Sequence, residues 1–145
     1  MTKAFAAVGS GALLVVAAFH ALWVFTPWPL ASRAEFAEVV VGVAEADAPG
    51  AMLTALVTAL VVLAAWIVAV RGGLLPAVGP TWLHRAGTWT VAGVLGLRGV
   101  GGLMMSSLHL VDQPERYVRA DLAIYSPVCV AIAACVLVTA WRAER

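Results

Sequence analysis

Charge is what this chain has least of. Of 145 residues, nine are Lys or Arg and eight are Asp or Glu, 12% in all, where soluble domains carry roughly a quarter. No basic run occurs, so nucleic acid has no electrostatic footprint to bind and is excluded as a partner. Cysteine is equally scarce. Cys129 and Cys135 both lie in the last apolar stretch, about 240° apart around a helix, which rules out a disulfide within it. There is no CxxC and no Cys/His spacing of the zinc kind. Two outward histidines, His20 and His109, are poor grounds for haem. Neither a metal nor a cofactor is expected.

What the chain has is hydrophobicity: 63% of its residues are apolar and its mean hydropathy is +0.96. No soluble core of this size needs so much. An integral membrane protein does, because its outer surface faces lipid. Four runs are long enough for a hydrocarbon core of about 30 Å: Ala4–Phe25, Ala51–Val70, Ala86–Leu110 and Leu122–Trp141. Such runs must be helices, because a helix alone satisfies its own backbone within lipid. The predicted fold class is all-α, a single four-helix transmembrane domain over residues 1–145. Ala4–Phe25 exceeds the apolar core of a signal peptide and is read as a retained helix.

Lys and Arg in the short loops set the orientation. Lys3, Arg71, Arg85, Arg142 and Arg145 fall on one side; Arg33, Arg116 and Arg119 on the other. The richer side is taken as cytoplasmic, which puts both termini inside a bacterial plasma membrane. Trp66, Trp82, Trp89 and Trp141 then lie near the inner boundary, and Trp23 and Trp28 near the outer one, as an aromatic belt requires. The inner loop is a short Gly/Pro-rich connector. In the first outer loop, Arg33–Val43 is read either as a short helix on the membrane surface or as a fold-back over the bundle.

Seven of the eight acids fall outside: Glu35, Glu38, Glu45, Asp47, Asp112, Glu115 and Asp121. Below this acidic mouth lies Arg98, within the third span. A charge in hydrocarbon costs at least ~2.5–3.5 kcal/mol, so such a residue faces the bundle interior, finds a partner and marks a site. At helical spacing Arg98, Met105 and His109 share a face. Six glycines on the same helix permit close packing or leave room for a ligand. His20 and Trp23 are one turn apart on the first span. Asp121, Tyr125, Cys129 and Ile132 form a stripe on the fourth, with Asp121 placed at its N-terminus, where the helix dipole favours a carboxylate. The expectation is an outward-facing pocket lined by His20, Trp23, Trp28, Arg98, His109, Asp121 and Tyr125, with Glu35 and Glu38 as a lid. The plainer alternative is a structural Arg98–Asp121 ion pair that fixes helix register.

His20-x-x-Trp23, Arg98 and the run Arg119-x-Asp121-x-x-x-Tyr125-Ser126-Pro127-x-Cys129 resemble small four-span membrane proteins, common in actinobacteria, that form a family of unknown function. The resemblance implies the architecture and no activity. In size and span number the chain is also similar to small membrane-integral terpene cyclases of bacterial indole-terpenoid pathways. That likeness implies acid-initiated cyclisation of an isoprenoid or its epoxide, with Asp121, Glu35 and Glu38 as candidate catalytic acids. Arg98, His20, Trp23, Trp28, Tyr125 and His109 would then bind substrate. The competing readings are a lipid- or anion-binding or transport module and an accessory structural subunit. The expected partners are membrane lipid and a lipophilic small molecule; whether copies associate stays open.

Overall fold

The computed structural model describes all residues, Met1–Arg145, and contains helices and no strands. Four long helices alternate in direction. They are α1 (Thr2–Phe25), α3 (Ala51–Arg71), α4 (Thr81–Ser107) and a last helix that runs Glu115–Arg142. This last one comprises α5 (Glu115–Ala120), a wide π-type turn (Asp121–Tyr125) and α6 (Ser126–Arg142). Between α1 and α3 lies a short helix, α2 (Arg33–Phe36), which continues into a second π-type turn, Ala37–Val41.

Helices Thr2–Phe25, Ala51–Arg71 and Glu115–Arg142 are each long and apolar enough to cross a membrane. Helix α4 is longer than two of these but is the least apolar of the four, because it carries Arg85, Arg98, His84 and its glycines. Its ends also differ from expectation: it starts at Thr81 and stops at Ser107. His109, at φ 50°, has left the helix, so the stripe expected through Arg98, Met105 and His109 ends at Met105.

The core is thin and built from small side chains. Leu13 of α1, Ala65 and Val68 of α3, Ala92 of α4, and Ile132 and Val136 of α6 meet in its centre. Outward faces carry exposed Leu, Val and Met on every long helix, including Leu56, Leu60, Leu97 and Leu137. So much exposed apolar surface suits lipid rather than water and is compatible with a membrane protein. Three buried hydroxyls bond back to their own helices: Ser10 Oγ to the Ala6 carbonyl at 2.7 Å, Thr88 Oγ1 to His84 at 2.7 Å and Thr139 Oγ1 to Cys135 at 2.9 Å. None is left unsatisfied in the low-dielectric interior.

Helices α4 and α6 cross closely at Gly99. A Cβ there would lie 2.7 Å from Val130 Cγ2 and 2.9 Å from the Val130 backbone nitrogen, so α4 could not keep its distance. Gly93, on the same helix, has open space around it. Gly99→Ala is therefore expected to destabilise the fold by about 1–3 kcal/mol through overpacking. Gly93→Ala is expected to be neutral or to stabilise by up to about 1 kcal/mol through helix propensity. Thermal unfolding in detergent, followed by circular dichroism, separates the two.

Candidate functional site

Arg98 projects from α4 towards the wide turn of the last helix. Its Nη2 donates to Asp121 Oδ1 at 2.7 Å and to Tyr117 Oη at 3.3 Å, and its Nη1 donates to Ser126 Oγ at 3.1 Å. Asp121 is fully buried and accepts at both oxygens. Ser126 Oγ donates to Oδ1 at 3.0 Å and Ser106 Oγ to Oδ2 at 2.7 Å. A buried carboxylate is tolerated when it is paired and hydrogen-bonded in this way.

Local backbone chemistry explains how one helix supplies Tyr117, Asp121 and Ser126 together. Tyr117 and Asp121 are four apart and stack on one α-helical face. Ser126 is five residues beyond Asp121, which in a regular α-helix turns it away. Here the Ser126 amide bonds back to the Asp121 carbonyl, an i→i−5 link that sets the two residues one above the other. The widening comes immediately before Pro127, which has no N–H to return to the preceding turn. Asp121 was expected at a helix N-terminus. The helix starts at Glu115, so hydrogen bonds and Arg98 hold the carboxylate, not the helix end.

Gly102 lies one turn above Arg98. A Cβ at this position would collide with Ser126 Oγ and Arg98 Nη1, and would come within 3.0 Å of Asp121 Oδ2. The glycine vacates the volume that the ion pair occupies. Beside the pair is a cavity of about 270 Å³, lined by Leu97, Gly101, Met105, Gln113 and Tyr117 as well as the Arg98–Asp121 cluster. The Arg98 side chain is 39% exposed towards it.

The rest of the expected pocket is distributed differently. His20 Nδ1 donates to the Val16 carbonyl at 2.9 Å, and its ring lies 5.2 Å from that of Trp23. Trp23 packs tilted against the buried Phe36, ring centroids 5.2 Å apart, and its indole donates to the Trp28 carbonyl at 3.0 Å. These residues form an aromatic cluster under the loop after α1, and His20, Trp23 and Trp28 do not line the cavity. His109 is exposed and also stands apart from it. Tyr125 is nearer: its hydroxyl donates to the Val39 carbonyl at 3.2 Å and its ring is 6.2 Å from that of Tyr117.

Residues Arg33–Val43 fold back over the bundle. Ser32 caps α2 by accepting from the Glu35 amide at 3.1 Å, while Glu35 Oε2 accepts from the Ala31 amide at 2.9 Å. Glu35 and Glu38 then reach Arg116 at 2.6 and 3.7 Å. Gly42, at φ 81°, lies over the Tyr117 ring, where a Cβ would sit 2.8 Å from Cγ. The two acids thus clasp the strap to α5 and are not among the cavity-lining residues. Ser106, Gln113 and Tyr117 were not anticipated. Tyr117 had a signal, because it extends the Asp121–Tyr125 stripe upstream by one turn.

The chain belongs to the family described as a protein of unknown function, DUF3995, whose model matches residues 13–136. That span takes in α3 and α4 whole, most of the last helix and the second half of α1, with the Arg98–Asp121 cluster and the strap. No curated protein and no solved structure matches the chain.

Two outcomes test this geometry. Arg98→Leu leaves Asp121 buried without its cation and is expected to cost about 3 kcal/mol, the lower end for breaking a buried pair because Arg98 is partly exposed. The double substitution Arg98→Leu/Asp121→Leu is expected to cost less than the two single changes added together, read as a double-mutant cycle in detergent. The clasp responds to pH. The Arg116 hydrogen bond, reinforced by the Ala31 amide, holds the Glu35 carboxyl below its ordinary value of 4.5. Its folded value being depressed, its contribution is fully present above 4.5 and is lost as the pH falls further, through the folded value. Amide exchange in residues 33–43 is expected to accelerate there, and Glu35→Gln to remove that pH dependence.

Proposed function

We propose that this chain is a four-span bacterial membrane protein, both termini cytoplasmic, that binds a lipophilic small molecule by its polar head in the Arg98 cavity. The observation that carries this reading is a half-exposed guanidinium, already neutralised by Asp121, on the wall of a cavity whose other sides are Leu97, Met105, Gln113 and Tyr117. The pair has no net charge left to balance. An anionic head would compete with Asp121 for Arg98 and leave an excess negative charge in low dielectric, which is costly. A neutral head with carbonyl or hydroxyl oxygens meets free donors from Arg98 and Gln113 at no such cost. The volume, about 270 Å³, suits the head of an amphiphile whose tail stays in the bilayer.

Acid-initiated cyclisation would use the same cavity and the Tyr117–Tyr125 pair as aromatic lining. It needs a carboxylic acid with a proton to give. Asp121 is occupied as an acceptor at both oxygens, and Glu35 and Glu38 face Arg116. These placements favour binding over catalysis.

The test is thermal stabilisation of the detergent-solubilised chain by farnesol, by a short-chain isoprenoid quinone and by oleate. At a hundredfold excess over Kd a ligand stabilises by about 2.7 kcal/mol. The neutral compounds are expected to raise the melting temperature and oleate is not. Met105→Trp, which fills the cavity without touching the ion pair, is expected to abolish the effect. Stabilisation by oleate alone, or by none of the three, would overturn the reading. Turnover of an epoxidised prenyl substrate would replace it with cyclisation.

A further inference from the structure

The opposite end of the bundle carries a second arrangement, independent of the Arg98 cavity. Arg71, Arg85 and Arg145 lie there with a single acid, Glu144, and Arg142 sits over the Phe5 ring of α1. Glu144 Oε1 accepts from Arg85 Nε at 2.8 Å and from Trp89 Nε1 at 2.9 Å. The Trp89 hydrogen bond, followed by the charges of Arg85 and Arg71, holds the Glu144 carboxyl below its ordinary value. One carboxylate thus organises the start of α4 against the end of α6. The cluster keeps an excess of positive charge.

Directly below runs an apolar groove of about 280 Å³ between α4 and α6, walled by Trp89, Leu137, Val138 and Trp141. The two tryptophans flank it, each partly exposed. Each is four residues from an arginine: Arg85 precedes Trp89 within α4, and Arg145, just past the end of α6, follows Trp141 with its guanidinium carbon 3.9 Å from the indole centroid. Only Nε of Arg85 is engaged by Glu144, which leaves its two terminal nitrogens to donate outward. The Arg145 guanidinium, stacked on the ring, is held at the groove mouth.

We infer that this groove is a binding site for an anionic phospholipid, one acyl chain lying between Trp89 and Trp141 and the phosphate held by Arg85 and Arg145. Charge complementarity selects this occupant. A phosphate near an excess of arginines at a membrane surface is favoured, and the guanidinium fork suits phosphate oxygens. A zwitterionic lipid gains less, because its own cation opposes the cluster. Tryptophan at the level of the headgroups is where its amphipathic ring resides.

The test uses the full chain reconstituted in phosphatidylcholine vesicles. Tryptophan fluorescence is titrated with phosphatidylglycerol carrying brominated acyl chains, and separately with phosphatidylcholine brominated in the same way. Brominated phosphatidylglycerol is expected to reach half-maximal quenching at a mole fraction at least twofold lower. Arg85→Gln/Arg145→Gln is expected to erase that difference while leaving quenching by phosphatidylcholine unchanged. Arg145→Gln alone, which leaves the Glu144 bridge intact, is expected to reduce it. Equal quenching by the two lipids in the parent protein overturns the inference, as does a preference that survives the double substitution. Loss of the preference on adding inorganic phosphate also overturns it, since the cluster would then take the free anion. So does cross-linking of two copies through position 141 with the groove shielded from both lipids. The Met105→Trp variant is expected to keep the preference, so failure of the Arg98 reading is distinguishable from failure of this one.

Discussion

The bond between Arg98 and Asp121 constrains everything around it. Neither charge is tolerable alone among apolar helices, and together they are tolerable only if the remaining donors and acceptors are met. Ser106, Ser126 and Tyr117 meet them. Gly102 gives the guanidinium its space, and Gly99 brings α6 near enough for Ser126 to take part. Gly99, Gly102 and the irregular turn opposite them follow from accommodating this one pair. The cavity beside it is what remains where Leu97, Gly101 and Met105 do not fill the flank.

The two ends of the bundle are organised by opposite means. At one, two acids of the strap share the cation of Arg116, and Gly42 lies flat on Tyr117. The strap therefore touches the same helix that supplies the buried carboxylate. At the other, one carboxylate holds Arg85 and Trp89, and Arg145 stacks on Trp141. The first arrangement closes backbone over the polar cluster; the second leaves guanidinium groups and an apolar groove open to their surroundings.

Much of the plan was legible in the sequence because lipid-facing helices are written in composition. The runs around Val8–Ala17, Leu56–Val68 and Val130–Val138 are almost unbroken, and the lone Arg98 inside the remaining apolar stretch, Ala86–Leu110, announces a partner. Asp121 was the natural candidate, being the acid nearest in depth. What could not be read was rotation. His20 and Trp23 lie at a suitable depth, yet they turn towards Phe36 rather than Arg98. His109 sits on the right face of an ideal helix, but α4 stops two residues earlier. Glu35 and Glu38 were expected as a lid over the pocket; the Ser32 cap and Arg116 fix them facing α5 instead. Each of these differences comes from where a helix ends or how a loop is capped, which periodicity alone does not encode.

The wide turn at Asp121–Tyr125 has a wider meaning for how such a chain can change. A turn with one residue more than the α-helix behaves like a single-residue insertion absorbed within a straight rod. It lets the segment carrying Tyr117 and Asp121 be set at one angle about the axis, while the segment carrying Ile132 and Val136 is set at another. Polar chemistry at one end and hydrophobic packing at the other are thereby uncoupled along one continuous element. Substitutions that retune the first have no need to disturb the second.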